Sequence, residues 1–349
     1  MKSGWIMQGK IVKDFENKFA SCTGAKYAVC VSSGTAALHL AMLAAGIGKG
    51  DEVICPSLSF AATANTICLS GAKPVFADVN ENSLNISVND AAKKITNKTK
   101  AILIVHQIGY PADISSFKKL CAQNRLILIE DAACAIGSEY HGGKIGSHSR
   151  LVCFSFHPRK VITTGEGGMI TTSDKKYFEH LTALRQHGKH YEIKGSEESK
   201  FLEPGFNYRL TDIAASLGLS QLNNLDKTLK RRIEIAEIYN SAFSGSRYFD
   251  FPQQEKNTKI NYQSYCLILK GGLEYKRDEL LGYLNSNGVG AGAGITAIHR
   301  MPAYKSKLRL INTERISDHS ILLPLYPSMK KEEINYIIKL IFKFTGRDL

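Results

Sequence analysis

Apolar positions in this chain change period repeatedly, and each change marks a new element. Ile11, Phe15 and Phe19 recur every fourth residue with Val12 beside them, which predicts an amphipathic helix over residues 11–21, stopped by Gly24. Tyr27-Ala28-Val29-Cys30-Val31 is then continuously apolar and short, the signature of a buried strand. Similar runs return at residues 52–55, 73–78, 101–106, 126–130 and 151–156, with helical patterning from Ala36 and over residues 88–95. Strand alternating with helix predicts an α/β fold with a mostly parallel sheet flanked by helices.

Beyond residue 212 the periodicity becomes helical, first over 213–222 and then over 225–242, where Leu225, Leu229, Ile233 and Ala236 share one side. The second helix reads as a bridge into a smaller C-terminal α/β domain with a strand at 265–269 and helices at 278–285 and 332–344. The expected division is 1–228 for a large domain and 229–349 for a small one. A chain of 349 residues with 44% apolar residues is long enough for two cores.

Charge and cysteine usage narrow the class. Net charge is +13, but the longest basic run, Lys230-Arg231-Arg232, lies in a helical pattern where Leu229, Ile233 and Ala236 make an ordinary inward stripe, which argues against nucleic acid and leaves room for an anionic small molecule. The eight cysteines never fall closer than eight positions apart, so no CxxC-type metal or redox motif exists, and most sit in apolar runs as reduced core residues. No apolar run approaches the ~18 residues of a membrane span, and the start lacks a secretory core. A cytoplasmic protein without a resident metal is expected.

Two strand ends carry candidate chemistry. Phe154-Ser155-Phe156-His157-Pro158-Arg159-Lys160 leaves a buried strand, and Pro158 with the following Gly165-Glu166-Gly167-Gly168 predicts that Lys160 is presented at a bend. Desolvation there is expected to lower the charge on its amine, the state that attacks a carbonyl, although most lysines are simply solvated. Leu126-Ile127-Leu128-Ile129 ends in Glu130-Asp131-Ala132-Ala133, which puts a carboxylate where open α/β sheets bind ligands. Lysine for a Schiff base and carboxylate for a ring nitrogen together suit pyridoxal phosphate (PLP). Ser32-Ser33-Gly34-Thr35-Ala36 opens a helix with free amides that suit a phosphate, or form a plain cap. Phe60, just after a strand, suits either a planar cofactor or the core.

These residues resemble the DegT/DnrJ/EryC1/StrS family of PLP-dependent sugar aminotransferases over nearly the whole chain. The resemblance implies an aspartate-aminotransferase-like fold (fold type I), Lys160 as the Schiff-base lysine and Asp131 as partner of the ring nitrogen. It implies that Gly34, Thr35, Ala36 and Ser155 hold the cofactor phosphate and that Phe60 stacks on the ring. Cys134 stands near the ring hydroxyl, where many family members carry His or Gln, a departure that changes the tuning of the ring. Asn207 matches a residue that reaches the partner subunit's cofactor, which implies a homodimer. Near 295 the family often has a His-Tyr pair and a later His. This chain has Gly294-Ile295 and keeps only His299, a candidate substrate contact or a structural histidine.

The activity implied is transfer of an amino group from glutamate to a nucleotide-linked keto sugar, a 4-keto-6-deoxy sugar in this reading. Two other readings differ in their residues. Sugar dehydratases of the same fold replace the lysine by histidine, so Lys160 opposes them, and a non-catalytic relative would have no use for Lys160, Asp131 and the Ser-Gly-Thr turn together.

Overall fold

The computed structural model describes residues 4–190, 200–304 and 306–346. Helix α1 (Lys10–Thr23) buries the apolar stripe Val12, Phe15 and Phe19, and Gly24 closes it at φ 74°, its amide donating back to the Ala20 and Ser21 carbonyls. That left-handed cap is the conformation glycine adopts without a Cβ penalty. The Phe15 ring lies where a side chain on Gly218 would stand, 2.5 Å from an ideal Cβ, so α1 packs closely on α7 (Asp212–Leu222).

Seven strands form the central sheet: β1 (Tyr27–Val31), β2 (Glu52–Pro56), β3 (Lys73–Ala77), β4 (Thr99–Val105), β5 (Ile127–Asp131), β6 (Leu151–Ser155) and β7 (Gly168–Thr172). Their order is β1-β7-β6-β5-β4-β2-β3. The pairs from β3 to β6 are parallel, while β7 runs antiparallel to both β1 and β6. The expected mostly parallel sheet is therefore present, with helices on both faces. β7 was hidden in the sequence because it starts inside the glycine-rich stretch. Gly168 opens the strand because a Cβ there would stand 2.3 Å from the Ser33 carbonyl oxygen, so it serves close approach rather than chain breaking.

Helix α8 (Leu225–Phe243) runs unbroken across positions 228 and 229 and changes cores along its length. Leu225 and Leu229 join the cluster under the central sheet, whereas Ile235, Ala236, Tyr239 and Phe243 join a second cluster with Tyr265, Leu267, Leu280 and Ile334. A four-stranded antiparallel sheet lines that second core, with Tyr265–Leu269 and Ser320–Leu323 at its centre. Helices α9 (Arg277–Ser286), α10 (Ile311–His319) and α11 (Lys331–Phe344) complete it. Among the described residues no helix is long and apolar enough to cross a membrane.

Candidate active site

Parallel strands β5 and β6 end side by side, with Asp131 in register with Cys153, and both chains then turn at the carboxyl edge of the sheet. Lys160 follows in a turn closed by its own amide to the His157 carbonyl (2.9 Å), so the expected bend is what the chain adopts. The bend is held from the far side by Gln221 of α7, whose Oε1 accepts from the Thr163 amide at 3.1 Å and whose Nε2 donates to the Thr163 carbonyl. Lys160 Nζ donates to Cys134 Sγ at 3.1 Å. The lysine on one loop and the residue three after the aspartate on the other thus meet.

Asp131 is buried, its Oδ1 accepting from the Ala133 amide (3.1 Å) and its Oδ2 from Thr63 Oγ1 (3.4 Å). Burial pushes its carboxyl above the usual value, against the opposing pull of the Ala133 amide, Lys160, His106 and Thr63. A buried carboxylate in that position gains by facing a cation such as a protonated ring nitrogen. Lys160 departs from expectation. Burial does act to lower its pKa, but contact with Cys134 and the charge of Asp131 outweigh it and the net shift is upward. Desolvation alone was the wrong guide, because this ammonium is desolvated among groups that favour its charge.

The turn over residues 32–36 sits directly against β6. An ideal Cβ on Gly34 would stand 2.7 Å from Ser155 Cβ, so only glycine lets the α2 helix (Gly34–Ala44) start that close to the Ser155 hydroxyl. Ser33 caps this helix by accepting from the Ala36 amide at 3.0 Å. Ala36 is thereby engaged within the chain, which leaves the amides of Gly34 and Thr35 and the exposed Thr35 hydroxyl at a helix start beside Ser155, a set that suits an anion. Phe60 is 79% exposed, an aromatic ring with an open face beside Ser59 and Thr63. These features fit PLP: a cradle that a Cβ would fill, a bare ring for stacking, a buried carboxylate and an amine.

Asn207 and His299 stand apart from that centre. Asn207 is exposed and its Oδ1 accepts from Arg209 Nε at 3.0 Å, while the neighbouring Tyr208 carbonyl accepts from the Ser32 amide at 2.8 Å and so ties this loop to the turn over residues 32–36. His299 is only 1% exposed, with Nδ1 2.7 Å from Ser57 Oγ and Nε2 3.4 Å from Glu314 Oε1. A substrate contact by its ring requires displacing one of those partners. Glu314 is itself held at a pKa of about 2, burial acting upward but outweighed by the Leu310 amide, Arg300 and His299. Sequence reasoning passed over Thr63, Gln221 and Asn261. Thr63 alone left a signal, since it lies three residues past Phe60 where a helix begins.

A lysine and a buried carboxylate at or soon after adjacent strand ends, beside a helix start that suits a phosphate, are the set that a PLP-dependent enzyme uses. The chain belongs to the DegT/DnrJ/EryC1/StrS aminotransferase family, whose model matches residues 1–342. It is similar to GDP-perosamine synthase of Escherichia coli O157:H7, with 37% identity over 99% of this chain and 93% of the relative. Among solved structures it is similar to DesV of S. venezuelae (30% identity, TM-score 0.93, covering 100% of this chain and 92% of that one). It is similar also to Spr1654 of Streptococcus pneumoniae in its PLP form (28% identity, TM-score 0.92, covering 99% and 93%). The protein is a PLP-dependent enzyme of this family.

Proposed function

We propose that this chain transfers an amino group from glutamate to a nucleotide-linked 4-keto-6-deoxy sugar. The observation that carries the transamination is the Lys160 amine, 3.1 Å from Cys134 beside the buried Asp131. The sugar class is supported by the name of the GDP-perosamine synthase relative, and the net charge of +13 suits a diphosphate substrate. PLP, when bound, supplies an electron sink for negative charge at the donor's carbon. Asp131 would hold a proton on the ring nitrogen, and Lys160 Nζ would take a proton off the donor carbon and deliver it to the cofactor's C4′ carbon. Thr35 and Ser155 would hold the cofactor through its phosphate, and Phe60 would cover one face of its ring. His299 acts here by shaping the loop over 297–300 through Ser57 and Glu314.

The test is a panel of nucleotide-linked keto sugars with glutamate as donor, read by mass. A product in which the carbonyl oxygen is replaced by an amino group, with one 2-oxoglutarate formed per product, is expected from a 4-keto-6-deoxy sugar. Amination confined to free keto acids would overturn the sugar assignment.

We propose further that the working unit is a homodimer with shared sites. Trp5, Ile6 and Met7 run beside the start of α7, where Asp212 N–H donates to the Ile6 carbonyl, and together with Ile213 and Leu217 they leave 41–66% of each side chain exposed. An apolar patch of this kind marks a protein interface, and the Met7–Thr211 bridge puts it four residues along the chain from Asn207. Mixing inactive Lys160→Ala chains with impaired Asn207→Ala chains then creates heterodimers in which one site carries both lesions and the other neither. Activity should recover to about half per heterodimer. Absence of recovery after subunit exchange, followed by mass, would contradict sharing.

A further inference from the structure

One three-residue turn of the C-terminal half touches both loops of the active site. Asn261 is 1% exposed and engages both amide N–H groups and its oxygen: Nδ2 donates to the Cys134 carbonyl (2.8 Å) and the Ile136 carbonyl (2.9 Å), and Oδ1 accepts from the Gln263 amide (2.9 Å). Gln263 Nε2 in turn donates to the Arg159 carbonyl at 3.0 Å, one residue before Lys160. The turn therefore grips the loop that carries Cys134 with one amide and the loop that carries Lys160 with the next.

The turn is itself held under strain. Tyr262 between the two amides has φ 47°, a conformation that side-chain-bearing residues seldom adopt and that persists only where the surroundings enforce it. What enforces it is Arg232 of α8, buried to 6% exposure, whose Nε donates to the Tyr262 carbonyl at 2.9 Å and whose NH2 group donates to the Gln263 carbonyl. Burial lowers the Arg232 pKa to about 10. Its side chain spends its donors on two backbone carbonyls, an expensive use of a buried cation that secures the backbone of this turn. Gly109 completes the seat, since an ideal Cβ there would stand 1.8 Å from Asn261 Oδ1.

We infer that Asn261 is a positioning residue for the transamination, setting Cys134 against Lys160, with Gln263 as its second arm. This rests on the reading of Lys160 as the cofactor-linking amine. Removing the Asn261 amide frees the Cys134 and Ile136 carbonyls and lets the Cys134 loop drift from Lys160, and displacement by about 1 Å at such a site costs on the order of 10²-fold in rate.

Asn85 supplies a matched control. It is 2% exposed and makes the same kind of clamp, Nδ2 donating to the Tyr110 and Pro111 carbonyls and Oδ1 accepting from the Gln107 amide, without touching either active-site loop. Asn261→Ala, Asn85→Ala and Gln263→Ala are compared with the unaltered protein by thermal melting. Two further measurements are the alkylation rate of Cys134 by iodoacetamide before PLP is added and the pH midpoint of the visible band after it is added. Asn261→Ala should change the Cys134 rate roughly tenfold and move the midpoint by about one unit, the scale of one lost buried interaction. Asn85→Ala, whose clamp holds the segment carrying Gly109, should lower the melting temperature and move both other readings by well under the Asn261→Ala change. Should Asn261→Ala fail to fold, the half-exposed Gln263→Ala must move the midpoint by itself. Unchanged Cys134 reactivity and midpoint in the folded Asn261→Ala protein, or an unchanged midpoint in Gln263→Ala, would overturn the inference. Failure of the unaltered protein to gain a visible band would instead strike at Lys160 as the linking amine, and the alkylation comparison would still decide the role of Asn261.

Discussion

Lys160→Ala yields a folded protein that neither acquires the visible absorbance of a lysine-linked cofactor when PLP is added nor transaminates. Loss of the proton carrier alone is worth about 10²–10⁴-fold, and loss of the covalent link adds to it. Stability should move little. The side chain contributes a partly buried ammonium rather than core packing, and its turn is held by backbone bonds and by Gln221, so a change within about 1 kcal/mol is expected. Circular dichroism and a melting curve report the fold, and single-turnover assays with glutamate report the chemistry. Turnover near that of the unaltered protein, without added amine, would remove Lys160 from the mechanism.

Asp131→Asn separates charge from shape. The amide has the size of the carboxylate, and its oxygen can still accept from Ala133 or Thr63, but nothing then favours a proton on the ring nitrogen. A fall on the order of 10²-fold or more follows, at about 1.4 kcal/mol of transition-state energy per tenfold. Stability before PLP is added should respond in the opposite sense. Burial raises the Asp131 pKa above its usual 3.8, so the fold binds this proton more tightly than the unfolded chain does. The corresponding stability is present at low pH and is lost as pH rises from 3.8 through the raised value. Asp131→Asn lacks that loss and should melt no lower than the unaltered protein above this window, while turning over far more slowly. Near-normal rates would mean that another group protonates the ring.

Much of this was legible in the sequence because the chemistry sits where the hydrophobic period breaks. Asp131 and Lys160 close apolar runs, and residue types unsuited to burial stand out at such ends. β1 and the strand at 265–269 appear with the bounds their apolar runs gave, and the long helix, expected over 225–242, runs one residue further to Phe243. β7 was not legible because a glycine needed for close approach looks like a chain break when its neighbour, the Ser33 carbonyl, is unknown. The hydrogen bonds that support the site, that of Thr63 included, were invisible for a different reason. Thr63 lies 68 positions from Asp131 and Asn261 lies 127 from Cys134, and no local pattern encodes a hydrogen bond across such separations. The charge state of Lys160 was misjudged on the same account, since burial could be read from sequence but the contact with Cys134 could not.

The most direct test of Lys160 as the amine that binds the cofactor is chemical mapping. The protein is loaded with PLP, the linkage is reduced with borohydride, and the digested peptides are weighed and fragmented. One phosphopyridoxyl group per chain, carried by the peptide containing Pro158-Arg159-Lys160 and located on Lys160, is the predicted result. A stoichiometric adduct on another lysine, with Lys160 unmodified, would contradict the account.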